Sequence, residues 1–159
     1  MNKLTRSLSA GVLAALALAA SLVMPFEGER RTTYLDPVQI PTRCYGHTGK
    51  DVRLGQPEAS ASECQALLQA DLIAANAGVD QCVHVPLTTG QRAALVSFVF
   101  NVGAGKFCGS GIAHKLNAGD YVGACGELSR WVWAGGKQLP GLVKRRAAER
   151  AVCEGRTPT

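Results

Sequence analysis

Close-spaced metal ligands are missing from this chain. Its six cysteines stand at positions 44, 64, 82, 108, 125 and 153, none in a Cys-x-x-Cys pair, and only three histidines accompany them. A structural zinc site ordinarily draws on at least one tight pair, so the pattern argues against a metal, and nothing implies another cofactor. Internal repeats are absent. So is a basic stripe with interleaved aromatics, which speaks against nucleic-acid binding. The one basic cluster, KRRAAER at 144–150, would pair its Arg and Glu on a helix. Charge is missing altogether from Ser7 to Phe26, and cysteine from residues 1–43.

What is present suits one domain with a real core, 159 residues long. The formal charge is +5, but Lys3 and Arg6 precede the uncharged run, and the remainder carries only a mild excess of positive charge. That permits an anionic partner, a bacterial wall among them, without requiring one. All six cysteines follow the apolar run. An even count behind an export signal reads as disulfides, and composition alone leaves every pairing open.

The run Ser7–Phe26, as a helix, spans about 30 Å, enough for a bilayer core. Lys3 and Arg6 place the N-terminus in the cytoplasm and the rest outside. The run is rich in Ala and broken by Gly11, Ser21 and Pro25, so it makes a poor permanent anchor. Two readings compete. One is a cleaved signal peptide, with the small residues Ala17 and Ala19 spaced for a peptidase. The other is an uncleaved anchor that delays release. A buried core helix is the third reading, disfavoured by both flanks. The division is then residues 1–26 as signal or anchor, 27–153 as the globule and 154–159 as a polar tail.

Beyond the run, Glu27–Tyr34 reads as a short helix that Asp36-Pro37 forces to exit. Prolines and glycines over 38–57 predict short strands and turns. Ser60 and Glu63 have capping-box spacing, and Cys64, Leu67, Leu68, Leu72 and Ala75 trace an amphipathic helix ending near Asn76-Ala77-Gly78. Thr89 can cap a helix over Gln91–Val102, apolar nearly all round and therefore central. Glycines at 103, 105, 109 and 111 then break the chain. Further helices are predicted over Ile112–Asn117, Asp120–Trp131 and Gly141–Cys153, with Gly135-Gly136 in a loop. The fold class is α+β: a small irregular sheet beside a mainly helical body.

Glu27, Asp36 and Thr42 are close in sequence and can surround one cleft if a helix runs into a sheet that folds back. Two carboxylates in different surroundings suit glycoside hydrolysis, one giving a proton to the leaving oxygen and the other remaining charged. A threonine hydroxyl, donor and acceptor together, can hold a water. Each residue also has a plainer reading: a Glu at a helix start, an Asp that forms a turn before Pro, and, at His47, a packed and hydrogen-bonded histidine.

The order Glu27-Gly, TYLDP, PT, YGHTG, then LTTGQRAALVSFVFNVGAG, FCGSGIAHKLNAGD and WVWAGGKQLPGLVKRRAAER resembles the phage-type lysozymes. These are the endolysins of tailed phages related to the lysozyme of phage T4, glycoside hydrolase family 24. The match runs over nearly everything from Glu27 to Cys153. It implies a lysozyme-like fold with a small antiparallel sheet lobe and a mainly helical lobe. It implies hydrolysis of the β-1,4 bond between N-acetylmuramic acid and N-acetylglucosamine in peptidoglycan, for host-cell lysis. Glu27 falls on the catalytic acid, Asp36 on the catalytic aspartate and Thr42 on the cleft threonine, the last two holding the attacking water in an inverting reaction. Asn101 falls at a cleft-lining amide, and Tyr45 and His47 stand with it as expected substrate-binding residues. Where relatives have Thr-Ile-Gly, this chain has Thr42-Arg43-Cys44, a disulfide placed beside the cleft.

The resemblance also bears on the cysteines and the N-terminus. In similar chains Cys44 recurs with Cys64 and Cys125 with Cys153, which leaves Cys82 with Cys108. The Ala-rich run abutting Glu27 resembles the signal-anchor-release subgroup. Its members are exported tethered to the inner membrane through a span like residues 7–26, with the N-terminus cytoplasmic. They then leave intact for the periplasm, as monomers, when the membrane is depolarised. With no cysteine in residues 1–43, caging by an anchor thiol is excluded, and a steric off state is implied. A plain signal peptide with a soluble enzyme remains the alternative. Two other functions fare worse. A lytic transglycosylase needs the acid but not Asp36 and Thr42. A tethered wall-binding protein needs none of the three.

Overall fold

The computed structural model describes residues 7–158; Lys3 and Arg6, on which the orientation argument rests, lie outside them. The apolar run folds as α1 (Ala10–Glu27), capped by Ser9, whose Oγ accepts from the Val12 amide at 3.3 Å. Its Ala15, Leu16, Ala19, Leu22 and Val23 are buried. These residues recur at one, three, three and one, a stripe along one helix face that meets the later helix Thr89–Val102 above all, and also the helices Ala61–Cys82 and Pro140–Cys153. In this conformation the helix lends one face to the core but only 28% of it is buried, so it is not the wholly buried core helix of the third reading. The opposite face is as apolar as the buried one, so no polar–apolar period marks the packed side in the sequence.

Glu27 ends α1 instead of starting a helix. Gly28, at φ 68°, takes the left-handed turn that stops it. The short helix expected over Glu27–Tyr34 is instead strand β1 (Arg30–Leu35). Thr32, Thr33 and Tyr34 explain the difference, since β-branched and aromatic side chains suit a pleated strand. β1 pairs antiparallel with β2 (Pro41–Cys44), which pairs with β3 (His47–Thr48). The register sets Tyr34 opposite Thr42 and Thr42 opposite Thr48.

α2 (Ala61–Cys82) opens with the predicted capping box: Ser60 Oγ accepts from the Glu63 amide, and Glu63 accepts from the Ser60 amide. It runs past the expected stop at Asn76-Ala77-Gly78, because both polar-looking residues serve packing. A Cβ on Gly78 would stand 2.9 Å from that of Ala104. The Asn76 amide oxygen accepts from Arg92 at 2.7 Å. α3 (Thr89–Val102) is capped by Thr88 and buried continuously from Ala93 to Val99, the central helix expected.

Within the glycine-rich stretch a short α4 (Ala104–Cys108) forms, followed by α5 (Gly111–Asn117). α6 (Tyr121–Glu127) tightens into a 3-10 turn at Leu128–Arg130, short of the expected end at Trp131. A hairpin of β4 (Trp133–Ala134) and β5 (Lys137–Gln138) leads into α7 (Pro140–Cys153), which has Pro140 at its first position. Three disulfides link Cys44 to Cys64, Cys82 to Cys108 and Cys125 to Cys153, with Cα separations of 4.9, 5.3 and 5.7 Å. They join β2 to α2, α2 to α4, and α6 to α7.

Candidate active site

The last turn of α1 delivers Glu27 to the foot of the β1–β2 hairpin. A carboxylate there faces the negative end of the helix dipole. The compensating charge comes from α7: Arg145 Nη1 donates to Glu27 Oε1 at 2.6 Å. The other oxygen lies against Gly46, where a Cβ would come within 3.0 Å of Oε2. Gly46 also holds φ 77°, so the YGH motif needs glycine for conformation and for room.

Asp36 follows β1 directly. Its Oδ1 accepts from the amides of Val38 at 2.9 Å and Ile40 at 2.8 Å, and its own amide donates to the Ile40 carbonyl at 3.0 Å. The plainer turn-forming reading is thus true of this residue. It involves only Oδ1. Thr42 is buried, and its hydroxyl donates to the Ile40 carbonyl at 2.9 Å. The oxygen lone pairs stay free to accept, so Thr42 can act toward a water only as an acceptor.

A groove of about 290 Å³ lies next to Glu27 and Thr42, lined by Gly46, Thr48, Asp71, Ala75, Val99 and Phe100 among others. One side comes from the sheet lobe and the other from α2 and α3. Gly46 touches Glu27, and Thr48 pairs with Thr42, so the groove adjoins two of the three candidates.

The three expected substrate-binding residues are placed differently from one another. Asn101 is exposed at the end of α3, where its amide oxygen accepts from Arg146 Nη2. Tyr45 is buried, and its hydroxyl donates to Glu29 Oε2 at 2.8 Å. That bond and the one from Arg31 depress the Glu29 carboxyl, while Glu29 raises the Tyr45 phenol. His47 spans two carboxylates, with Nδ1 2.8 Å from Asp71 and Nε2 3.1 Å from Asp51. Burial works against its charged form, yet the hydrogen bonds to Asp71 and Asp51 outweigh that and raise its pKa. Tyr45 and His47 thus spend their polar atoms inside the protein. Their geometry is that of packed, hydrogen-bonded side chains rather than free ligands for a sugar.

The basic cluster of α7 supplies what the sequence reading missed. Its Arg and Glu do pair, as their spacing predicts, but they do so in the interior. Arg145, Arg146 and Glu149 are 4%, 1% and 0% exposed. Glu149 accepts from Arg145 Nε at 3.3 Å, Arg146 Nη1 at 2.6 Å and Ser97 Oγ at 2.8 Å. Arg146 Nε donates to the Trp131 carbonyl at 3.1 Å, and its guanidinium lies 4.8 Å from the Phe98 ring centre. Burial lowers the Arg146 pKa, and Glu149 opposes the shift. Every charge in this set has a partner, as a dry interior demands. The sequence signals for this set are the Arg/Glu spacing and the single hydroxyl of Ser97 within the apolar stretch from Ala93 to Phe100.

The phage lysozyme family profile matches residues 24–149. The chain is 44% identical over 158 residues to a SAR-endolysin of Bacteriophage PS119, covering 96% of this chain and 92% of that one. Its fold is similar to the muramidase domain of SpmX from Asticcacaulis excentricus. That match has a TM-score of 0.77 and 32% identity, covering 92% of this chain and 97% of that domain. It is also similar to a P22 lysozyme mutant, at a TM-score of 0.75 and 33% identity, covering 93% and 98% of the two chains. A carboxylate held at the junction of a small sheet and a helical body, beside an open groove, fits a glycoside hydrolase of the lysozyme class. The chain belongs to the phage lysozyme family, and its activity is hydrolysis of peptidoglycan of the muramidase type.

Proposed function

We propose that Glu27 is the general acid of this hydrolase and that Asp36 and Thr42 hold the attacking water. Glu27 gives its proton to the oxygen between N-acetylmuramic acid and N-acetylglucosamine. The water donates one hydrogen to Asp36 and the other to Thr42 Oγ1, which leaves a lone pair of its oxygen free to attack the anomeric carbon from the opposite face. Asp36 takes the proton as the new C–O bond forms, and the product has the inverted configuration. Asn101, next in sequence to the groove-lining Phe100, would offer its amide nitrogen to an N-acetyl group.

The same chain is proposed to travel as a signal-anchor-release endolysin. Residues 1–26 anchor first, spanning the inner membrane with the N-terminus cytoplasmic. They are then released intact, and Ala10–Glu27 docks as α1 in a monomeric periplasmic enzyme whose catalytic residues lie within 27–153, leaving 154–159 as a polar tail. One observation carries this reading. The helix that is long and apolar enough to cross a membrane ends at the candidate acid, and Arg145 reaches that acid only when α1 packs against the body. While the run is in lipid, Glu27 lacks its partner and the site is incomplete.

Cleavage after Ala19 is the second reading. It would strip Ala15, Leu16 and Ala19 from the core, all 6% exposed or less, which favours retention. N-terminal sequencing of the soluble periplasmic form separates the two: a start at residue 1 or 2 supports release, and a start at Ala20 or Ser21 rejects it. For the chemistry, mass analysis of wall fragments decides. Reducing ends support hydrolysis, and anhydro ends would move the protein to the transglycosylases.

A further inference from the structure

The Trp133 residue is 63% exposed. It stands on β4 opposite Gln138 of β5, so the indole and the amide share one face of the hairpin. Gly135 and Gly136 close the arm with φ of 57° and 74°, the left-handed two-residue turn that matches strand twist. Both short strands are exposed throughout. Folding therefore gains little from a tryptophan at this position, and its indole face is open to a ligand.

The root of the hairpin is tied to the candidate site. The Leu139 amide donates to the Val132 carbonyl at 2.9 Å. The Trp131 carbonyl accepts from Arg146, which also donates to Asn101. The Trp131 ring stands edge-on to Phe98 at 5.1 Å. The neighbouring Arg145 holds Glu27. Hydrogen bonds and packing thus fix the arm to the helical wall that presents both Asn101 and Glu27.

We propose that Trp133 and Gln138 form a sugar platform that extends the glycan-binding surface beyond the cleft. A pyranose ring of the strand lays its C–H face on the indole, and the Gln138 amide hydrogen-bonds to an N-acetyl group. The inference rests on the cleft being the glycan-cutting site. Trp133 does not touch the reacting atoms. Its contact is with a remote sugar and is the same before and during bond cleavage, so it sets KM and leaves kcat alone.

The test uses the full released chain and glycan strands freed of stem peptides. W133A should raise KM about tenfold with kcat unchanged, and W133Y should recover most of the loss. The chain has two tryptophans, so indole emission adds a binding readout. E27Q should show saturable quenching on titration with the strands, and E27Q/W133F, left with Trp131, should not. An unchanged KM in W133A overturns the platform. A loss confined to peptide-bearing fragments overturns it as well and assigns the face to the stem peptide. If the unmutated enzyme releases no reducing ends, the catalytic reading has failed, and the emission titration still decides the platform.

Discussion

Arg145 Nη1 lies 2.6 Å from Glu27 Oε1, joining the last turn of the first helix to the last helix of the chain. The contact joins the end of a helix long and apolar enough to cross a membrane to a charge buried in the helical body. The side chains of Arg145 and Glu27 are 5% and 23% exposed, so neither charge is well served by water.

The acid itself is the first prediction. Glu27→Gln should abolish wall hydrolysis while the fold persists, because the amide fills the same volume and its oxygen can still accept from Arg145. Turbidity loss of purified walls, beside circular dichroism, checks it. Lysis near the unmutated rate would pass the role to another carboxylate.

Removing the other partner should act on stability. Arg145→Met leaves Glu27 half-buried without its ion pair and removes one donor from the buried Glu149. Breaking a buried pair on one side costs roughly 3–5 kcal/mol. Urea denaturation of the soluble chain measures it, and a loss below about 1 kcal/mol, the range of a surface pair, would show that water reaches this site freely.

Thr42→Val tests the water-holding geometry. It keeps the shape and removes the acceptor. Activity should fall on the order of a hundredfold, the scale of one positioned polar group in catalysis. Because the lost hydroxyl also donates to Ile40, stability should drop by about 1 kcal/mol. A fall in stability with activity intact would make Thr42 a structural residue only.

His47 should make stability depend on pH. Its pKa in the folded chain is raised above its ordinary value of 6.5 by Asp71 and Asp51 against the opposing effect of burial. A raised histidine stabilises fully below its unfolded pKa, and the contribution disappears as pH climbs through the folded one. Asp51 is depressed below its usual 3.8, so its share fades as pH falls through the folded value. His47→Gln should therefore cost most between about pH 4 and 6.5 and least in alkali. Paired melts at pH 5 and pH 9 check the sign; an equal cost at both would mean that the imidazole acts by packing alone.

The groove between α1 and α2, about 420 Å³ and lined by Leu16, Ala17, Ala20, Met24, Leu68 and Leu72 among others, offers a test of the proposed anchor role of α1. Small residues weaken its hold on lipid and also leave its packing loose. Ala17→Leu should stabilise the soluble fold by roughly 0.5–2 kcal/mol. It should also slow escape from the membrane, since each added apolar side chain favours the inserted state. Thermal melts and membrane fractionation read the two effects; faster release from the same variant would contradict the anchor.

Much of this molecule was legible in its sequence because the signals are local. The capping box at Ser60, the nearly all-apolar stretch of α3 and the glycine pair at 135–136 each depend on neighbours a few residues away, while the cap of α3 falls at Thr88, one residue before the expected Thr89. The order of Glu27, Asp36 and Thr42 along with the later motifs was enough to see the family resemblance, and that resemblance also supplied the three disulfides now observed. Tertiary structure decided the rest. Glu27 reads equally well as a helix start or a helix end until Gly28 turns left-handed after it. Whether Arg145, Arg146 and Glu149 face water or the interior depends on Ser97, Trp131 and Asn101, far away in sequence. The apolar run has no polar face to betray which side packs, so hydrophobicity alone cannot distinguish a helix destined for lipid from one destined for the core. That choice lies in the docking of α1 against α3 and in the ion pair that closes at its end.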